Sequence, residues 1–146
     1  MKVSVRIEKN IREPEVIIVS DQMTGEVEEI LQKLSKEKQQ MLAGFRDDTV
    51  RVLSPEKILR IYAQNGRVYA GTDFGEYQLH FRLYELEERL GSFSFVRISN
   101  SEIISLKKVQ HFDLSFTGTI CVILTDGTKT FVSRRYVPKI KRMLGM

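Results

Sequence analysis

Three short stretches of this chain carry the residue types that hold a polyanion. Arg134 and Arg135 follow directly on a strand-like run, and Lys139, Lys141 and Arg142 continue the charge toward the C-terminus. Lys107 and Lys108 follow Ser99-Asn100-Ser101-Glu102, and Arg67 lies one residue past Asn65-Gly66. An arginine fork holds phosphate or the N7/O6 edge of guanine, and an asparagine amide pairs with adenine. These groups sit on turns and element ends instead of along one helix, which argues against a helix-turn-helix reader.

Groupings for other chemistry are missing. His80 and His111 stand far apart, with no second ligand at metal spacing. Cys121, the one cysteine, lies in the apolar run Thr119-Ile-Cys-Val-Ile-Leu124 and reads as a core residue in a reduced setting. No Gly-rich phosphate loop occurs, and the paired carboxylates Glu87-Glu88 belong to the polar face of a helix. The expectation is a protein that is not an enzyme, with no cofactor, metal or small-molecule substrate.

The chain has 146 residues and a formal charge of +4, unevenly spread. Residues 1–48 hold 8 Lys/Arg against 10 Asp/Glu, and residues 49–146 hold 15 against 9. The positive excess therefore belongs to the C-terminal two-thirds, as expected where a polyanion docks. No apolar run is long enough to span a bilayer, and the charged start MKVSVRIEKN is not a signal peptide, so a cytoplasmic location is expected.

The elements that must position these groups are mostly strands. Residues 3–7 alternate and 16–19 form an apolar run, predicting two strands; Ser20 or Asp21 then caps a helix carrying Met23, Val27, Ile30, Leu31 and Leu34. This ββα element of residues 1–40 is too small for a core of its own, and its helix is a candidate dimer contact. From residue 41 the texture is short strands: 42–45, 50–53, 59–64, 67–72, 77–81, 93–98, 119–125 and 128–133. Asn65-Gly66 marks a two-residue hairpin turn. Leu83, Leu86 and Leu90 share a helix face, with Gly91 placed to end it. Ser99-x-x-Glu102 has the form of a capping box, predicting a short helical turn through Ile103 and Ile104. Val137, Ile140 and Leu144 line a closing basic helix with Pro138 in its first turn. The fold class is mainly β with α.

Residues 41–146 resemble the LytTR-type DNA-binding domain. The resemblance rests on Ile58-Leu-Arg-Ile-Tyr62 with the helix 82–90, on Phe95-Val-Arg-Ile-Ser-Asn-Ser-Glu-Ile-Ile104, and on Val132-Ser-Arg134, in that order. It implies a β-rich domain that presents loops to successive major grooves of duplex DNA. It puts Asn100 and Arg134 on base-contacting positions and Asn65 to Arg67 near a third contact. The family's frequent His is Ser99 here, and its closing Asn is Ser105. The site expected is therefore Asn65, Arg67, Ser99, Asn100, Lys107, Arg134 and Arg135. The N-terminal 40 residues are too few for a phosphoacceptor receiver, so the resemblance implies a stand-alone transcription regulator. It would act as a homodimer, with a regulatory membrane protein as a further candidate partner. The competing reading is a β-rich interaction module that docks an acidic or membrane-anchored protein.

Overall fold

A computed structural model describes residues 1–39 and 41–146, with the side chains of 35–40 outside that description. The chain divides into two units, Met1–Lys36 and Glu37–Met146. The boundary expected at 40/41 touches Gln40, which lies outside the described residues.

The helix α1, Gly25–Gln39, starts in the first unit and forms as its apolar spacing predicts. Its cap is Thr24, whose Oγ1 accepts the Val27 N–H at 3.3 Å. Ser20 does not cap it, because its hydroxyl donates to the Gln22 carbonyl. The two strands expected at 3–7 and 16–19 are not formed: neither run has a paired backbone, and nearly all their side chains are exposed. Alternation marks one face for burial, but a strand also needs a neighbour for its N–H and C=O groups, and within this unit there is none.

The second unit is β-rich, in line with the class expected. The strands are β1 Leu42–Arg46, β2 Thr49–Leu53, β3 Ile58–Gln64, β4 Arg67–Thr72, β5 Gly75–Leu79, β6 Phe95–Ser99 and β7 Glu102–Ser105, then β8 Val109–Asp113, β9 Ile120–Leu124 and β10 Lys129–Val132. Helix α2 spans Leu83–Leu90 and α3 spans Val137–Met143. Seven strands form an antiparallel sheet in the order β2-β1-β5-β4-β3-β7-β6, and three form a second sheet, β10-β9-β8.

Two cores lie on opposite faces of the larger sheet. Leu83, Leu86 and Leu90 of α2 cover Ile58, Ile61, Phe95 and Ile103 on one face. On the other, Leu59, Val96, Ile98 and Ile104 pack with Ile120, Val122, Leu124 and Val132 of the smaller sheet and with Ile140 of α3. The period-2 alternation of strands puts Ile103 and Ile104 in different cores. A strand buried on both faces reads as a continuous apolar run, which is why β7 escapes an alternation search.

That strand is also where the expectation of a capped helical turn at 99–104 fails. Ser99 pairs with Glu102 across a two-residue turn, Asn100-Ser101, and β7 continues as the sheet partner of β3. The Ser-x-x-Glu spacing suits a hairpin as well as a cap, and burial of both isoleucines on a sheet decides between them. The strand β8 has no sequence signal, since Val-Gln-His-Phe-Asp offers only one apolar residue on each side. At Asn65-Gly66 both residues have positive φ, +52° and +75°, the backbone of a type I′ turn. Helix α2 stops at Leu90 as expected, but the left-handed residue that turns the chain is Ser94, φ +65°, not Gly91.

Because Leu86 is fully buried at the centre of the first core, Leu86→Ala is expected to lower unfolding stability by about 2–5 kcal/mol. Urea denaturation should show the midpoint falling with little change in slope.

Candidate functional site

The antiparallel ladder brings distant turns to one end of the domain. The Asn65-Gly66 turn closes β3 and β4, and the Ala63 N–H, two residues earlier, donates to the Ser101 carbonyl at 2.8 Å. The Asn100-Ser101 turn therefore lies beside the Asn65 hairpin. The Ser133 N–H donates to the Ile98 carbonyl at 2.9 Å, which ties the turn after β10 to the same end. Tyr136, closing that turn, donates its hydroxyl to Asn100 Oδ1 at 3.4 Å. Asn65, Arg67, Asn100, Arg134 and Arg135 are all exposed there, and Ser99 is half-buried.

Each turn is held by its own scaffold. Arg97 donates to the Ser99 carbonyl at 2.7 Å and to the Asn100 carbonyl at 2.6 Å, and pairs with Glu87 of α2 at 3.0 Å. Arg97 thus braces the turn through an ion pair and two carbonyls. The Ser99 hydroxyl accepts the Ser101 N–H at 3.2 Å, so it is spent inside the turn. Asn100 keeps its side-chain NH₂ unused among the described residues.

Arg134 has no carboxylate partner among the described residues, nor do Arg67 and Arg135. Its guanidinium lies across Gly118, where an added Cβ would come within 3.3 Å of Arg134 Nε, and φ at Gly118 is +76°. A side chain there would be strained and would also displace the arginine. A groove of about 250 Å³ beside Arg134 is walled by Leu114, Phe116, Val137 and Lys141.

Lys107 is not brought to this end. It follows β7, and the four residues of that strand put it about 13 Å from the Asn100 turn. There it lines a separate hollow with Pro55, Glu56, Phe93, Ser105 and Lys108.

Sequence reasoning misses the polar tie at the root of the Asn100 turn. Glu102, nearly buried, accepts the Thr130 hydroxyl of the smaller sheet at 2.7 Å and approaches Arg60 of β3 at 3.0 Å. The Arg60 Nε–H is not aligned on the carboxylate, so this contact is Coulombic and not a formed hydrogen bond. Burial pushes the Glu102 carboxyl above the usual carboxylate range, against the opposing pull of Thr130 and Arg60. Tyr62, beneath the Arg60 guanidinium at 4.3 Å, is pushed up to about 12 by burial and by its hydrogen bond with Glu76, and stays protonated. A lone carboxylate opening an Ile-Ile strand is the one sequence signal for Glu102. For Tyr136 there is none beyond its closeness to Arg134.

Among the described residues, no three His, Cys, Asp or Glu converge as metal ligands, and no helix is long and apolar enough to cross a membrane.

Comparison with known proteins agrees with this architecture. Residues 48–145 match the model of the LytTr DNA-binding domain. The chain is 31% identical over 147 residues to an uncharacterized HTH-type transcriptional regulator of Staphylococcus aureus strain NCTC 8325 / PS 47, covering 100% of this chain and 99% of that one. A counterpart in strain MRSA252 is 30% identical with the same coverage. The solved LytTr DNA-binding domain from Bacillus cereus superposes with a TM-score of 0.70 at 19% identity, over 73% of this chain and 97% of that one. No two helices of this chain follow one another across a short turn among the described residues, so the helix-turn-helix label of those relatives does not describe its fold.

The raised carboxyl of Glu102 has a pH signature. A folded-state value above the unfolded one contributes stability at low pH that is lost as pH rises through the folded value. In urea titrations from pH 4 to 7, Glu102→Gln should therefore flatten the decline in stability just above the usual carboxylate range.

Proposed function

The chain belongs to the LytTr DNA-binding domain family, and from that premise we propose that it is a sequence-specific transcription regulator of duplex DNA. It reads major grooves through loops and works in the cytoplasm as a homodimer. The observation that carries this reading is the shared end of the domain, where exposed Asn100, Arg134, Arg135, Asn65 and Arg67 stand on turns anchored to the sheet. Arg134 offers a guanidinium fork with no carboxylate partner among the described residues, the group suited to guanine N7 and O6. Asn100 offers its side-chain NH₂, unused among the described residues, on a turn fixed by Arg97, and a reader gains most when its backbone is rigid before binding. Arg67 and Arg135 flank them as phosphate contacts, which set register without reading sequence. Ser99 supports the turn.

Lys107 and the hollow around it lie away from this face, so the reading assigns them no base contact. The residues of this face include no histidine or cysteine and only polar groups suited to holding, not transforming, a ligand; the reading is therefore of a binder without catalysis.

Selection of bound duplexes from a random pool should return a site with two spaced half-sites. On that site Arg134→Ala and Asn100→Ala should each cost about 1–3 kcal/mol and relax preference at one position. Arg135→Ala should weaken all sequences alike and make the log–log salt slope shallower by about 0.9, the share of a single neutralised phosphate. Lys107→Ala should change neither. Equal affinity for the selected and random duplexes at physiological salt would sink the reading.

A further inference from the structure

Residues 2–8 form no strand ladder among the described residues, and their sequence is complementary to itself. Val3, Val5 and Ile7 are 78%, 82% and 87% exposed. Arg6 reaches Glu8 at 3.6 Å, the same-side, two-residue spacing of an extended backbone. We propose that residues 2–8 pair antiparallel with the same residues of a second copy, about a two-fold axis at Val5. This inference rests on the homodimer reading above and names its interface.

The residues favour this register over its neighbours. With Val5 opposite Val5, Val3 faces Ile7 of the second copy, and one side of the ribbon is wholly apolar. On the other side Lys2 faces Glu8 and Ser4 faces Arg6. Opposite charges directly across a strand pair stabilise it, and like charges there do the reverse. The two-fold axis repeats each pair, so both Lys2–Glu8 contacts form at once. Shifting the pairing by one residue, Val5 opposite Ser4 or Arg6, sets apolar residues against polar ones on both sides. Shifting it by two, Val5 opposite Val3 or Ile7, breaks Lys2 from Glu8. A symmetric self-pairing of this kind is the isologous contact of a C₂ dimer.

Such a ribbon satisfies backbone groups that one copy leaves unpaired. Its apolar side carries three residues from each copy, which gives it a face to lay on the exposed residues Val16, Ile17 and Val19 of the same unit. Two strands alone are marginal in water, so this second layer is part of the proposal.

The register can be read by cross-linking the full chain. Val5→Cys sets two thiols directly opposite, with Cα atoms about 4.5–5.5 Å apart, within disulfide reach. Val3→Cys sets its two thiols about 14 Å apart, out of reach. Under mild oxidation Val5→Cys should form a disulfide-linked dimer and Val3→Cys should not, but a mixture of Val3→Cys and Ile7→Cys chains should cross-link. The unaltered chain, whose one cysteine is buried, is the control. Sedimentation should show a dimer at tens of micromolar, weakened a few-fold by Glu8→Lys and restored by Lys2→Glu with Glu8→Lys. A dimer in which Val3→Cys and Val5→Cys cross-link equally, or neither does, overturns this interface and leaves the homodimer standing. A monomer throughout overturns both, and leaves DNA reading to be judged by its own binding data.

Discussion

The second unit depends on a few strands that are buried from both sides. β3, β6 and β7 send alternate residues into two different cores, so the sheet between them has no solvated face in its centre. Removing either α2 or the smaller sheet would uncover a full row of isoleucine, leucine and valine. The two cores therefore cannot come apart separately, since each is roofed by the same backbone. Sequence-distant turns can be held in one place only because that backbone is fixed.

This arrangement explains how short turns far apart in sequence are held rigid without a helix of their own. The Asn100 turn has two residues between paired strands, and Arg97 closes it by holding the Ser99 and Asn100 carbonyls. Arg97 is in turn held by Glu87 of α2, so the helix that covers one core also braces the turn. On the other side Glu102 reaches Thr130 across the gap between the sheets. A buried carboxylate is costly, and the contact with Arg60 is close but imperfectly aimed. Its use is positional: it fixes the smaller sheet, and hence the Arg134 turn, against β7, the strand that begins just past the Asn100 turn.

Much of this is legible in the sequence, and the parts that are not share a cause. The Asn65-Gly66 hairpin, the α2 face and the closing helix are each specified by residues next to one another, so local chemistry suffices. The grouping of Asn100 with Arg134 comes through motifs in order, because no local rule brings residues 34 positions apart together. β7 reads as helical because burial on both faces erases the alternation that marks a strand. Glu102 reads as a cap because its true partners, Arg60 and Thr130, lie 42 and 28 positions away. The strands at 3–7 and 16–19 show the converse. The alternation of 3–7 and the apolar run of 16–19 are plain, but pairing depends on a neighbour in space, which local sequence does not specify.

The charge division gives that converse a physical meaning. Attraction to a phosphate backbone is long-ranged and indifferent to sequence, so positive charge is best placed on the surface that meets DNA. Residues 49–146 hold that excess, and residues 1–48 are slightly acidic. An acidic N-terminal unit adds no attraction to DNA, and its exposed valines and isoleucines add none either. Those side chains gain free energy only by leaving water, which a second apolar surface permits and a phosphate backbone does not. Where two recognition faces are joined, the second meets its half-site at a raised effective concentration. A junction outside residues 49–146 leaves the basic surface uncovered.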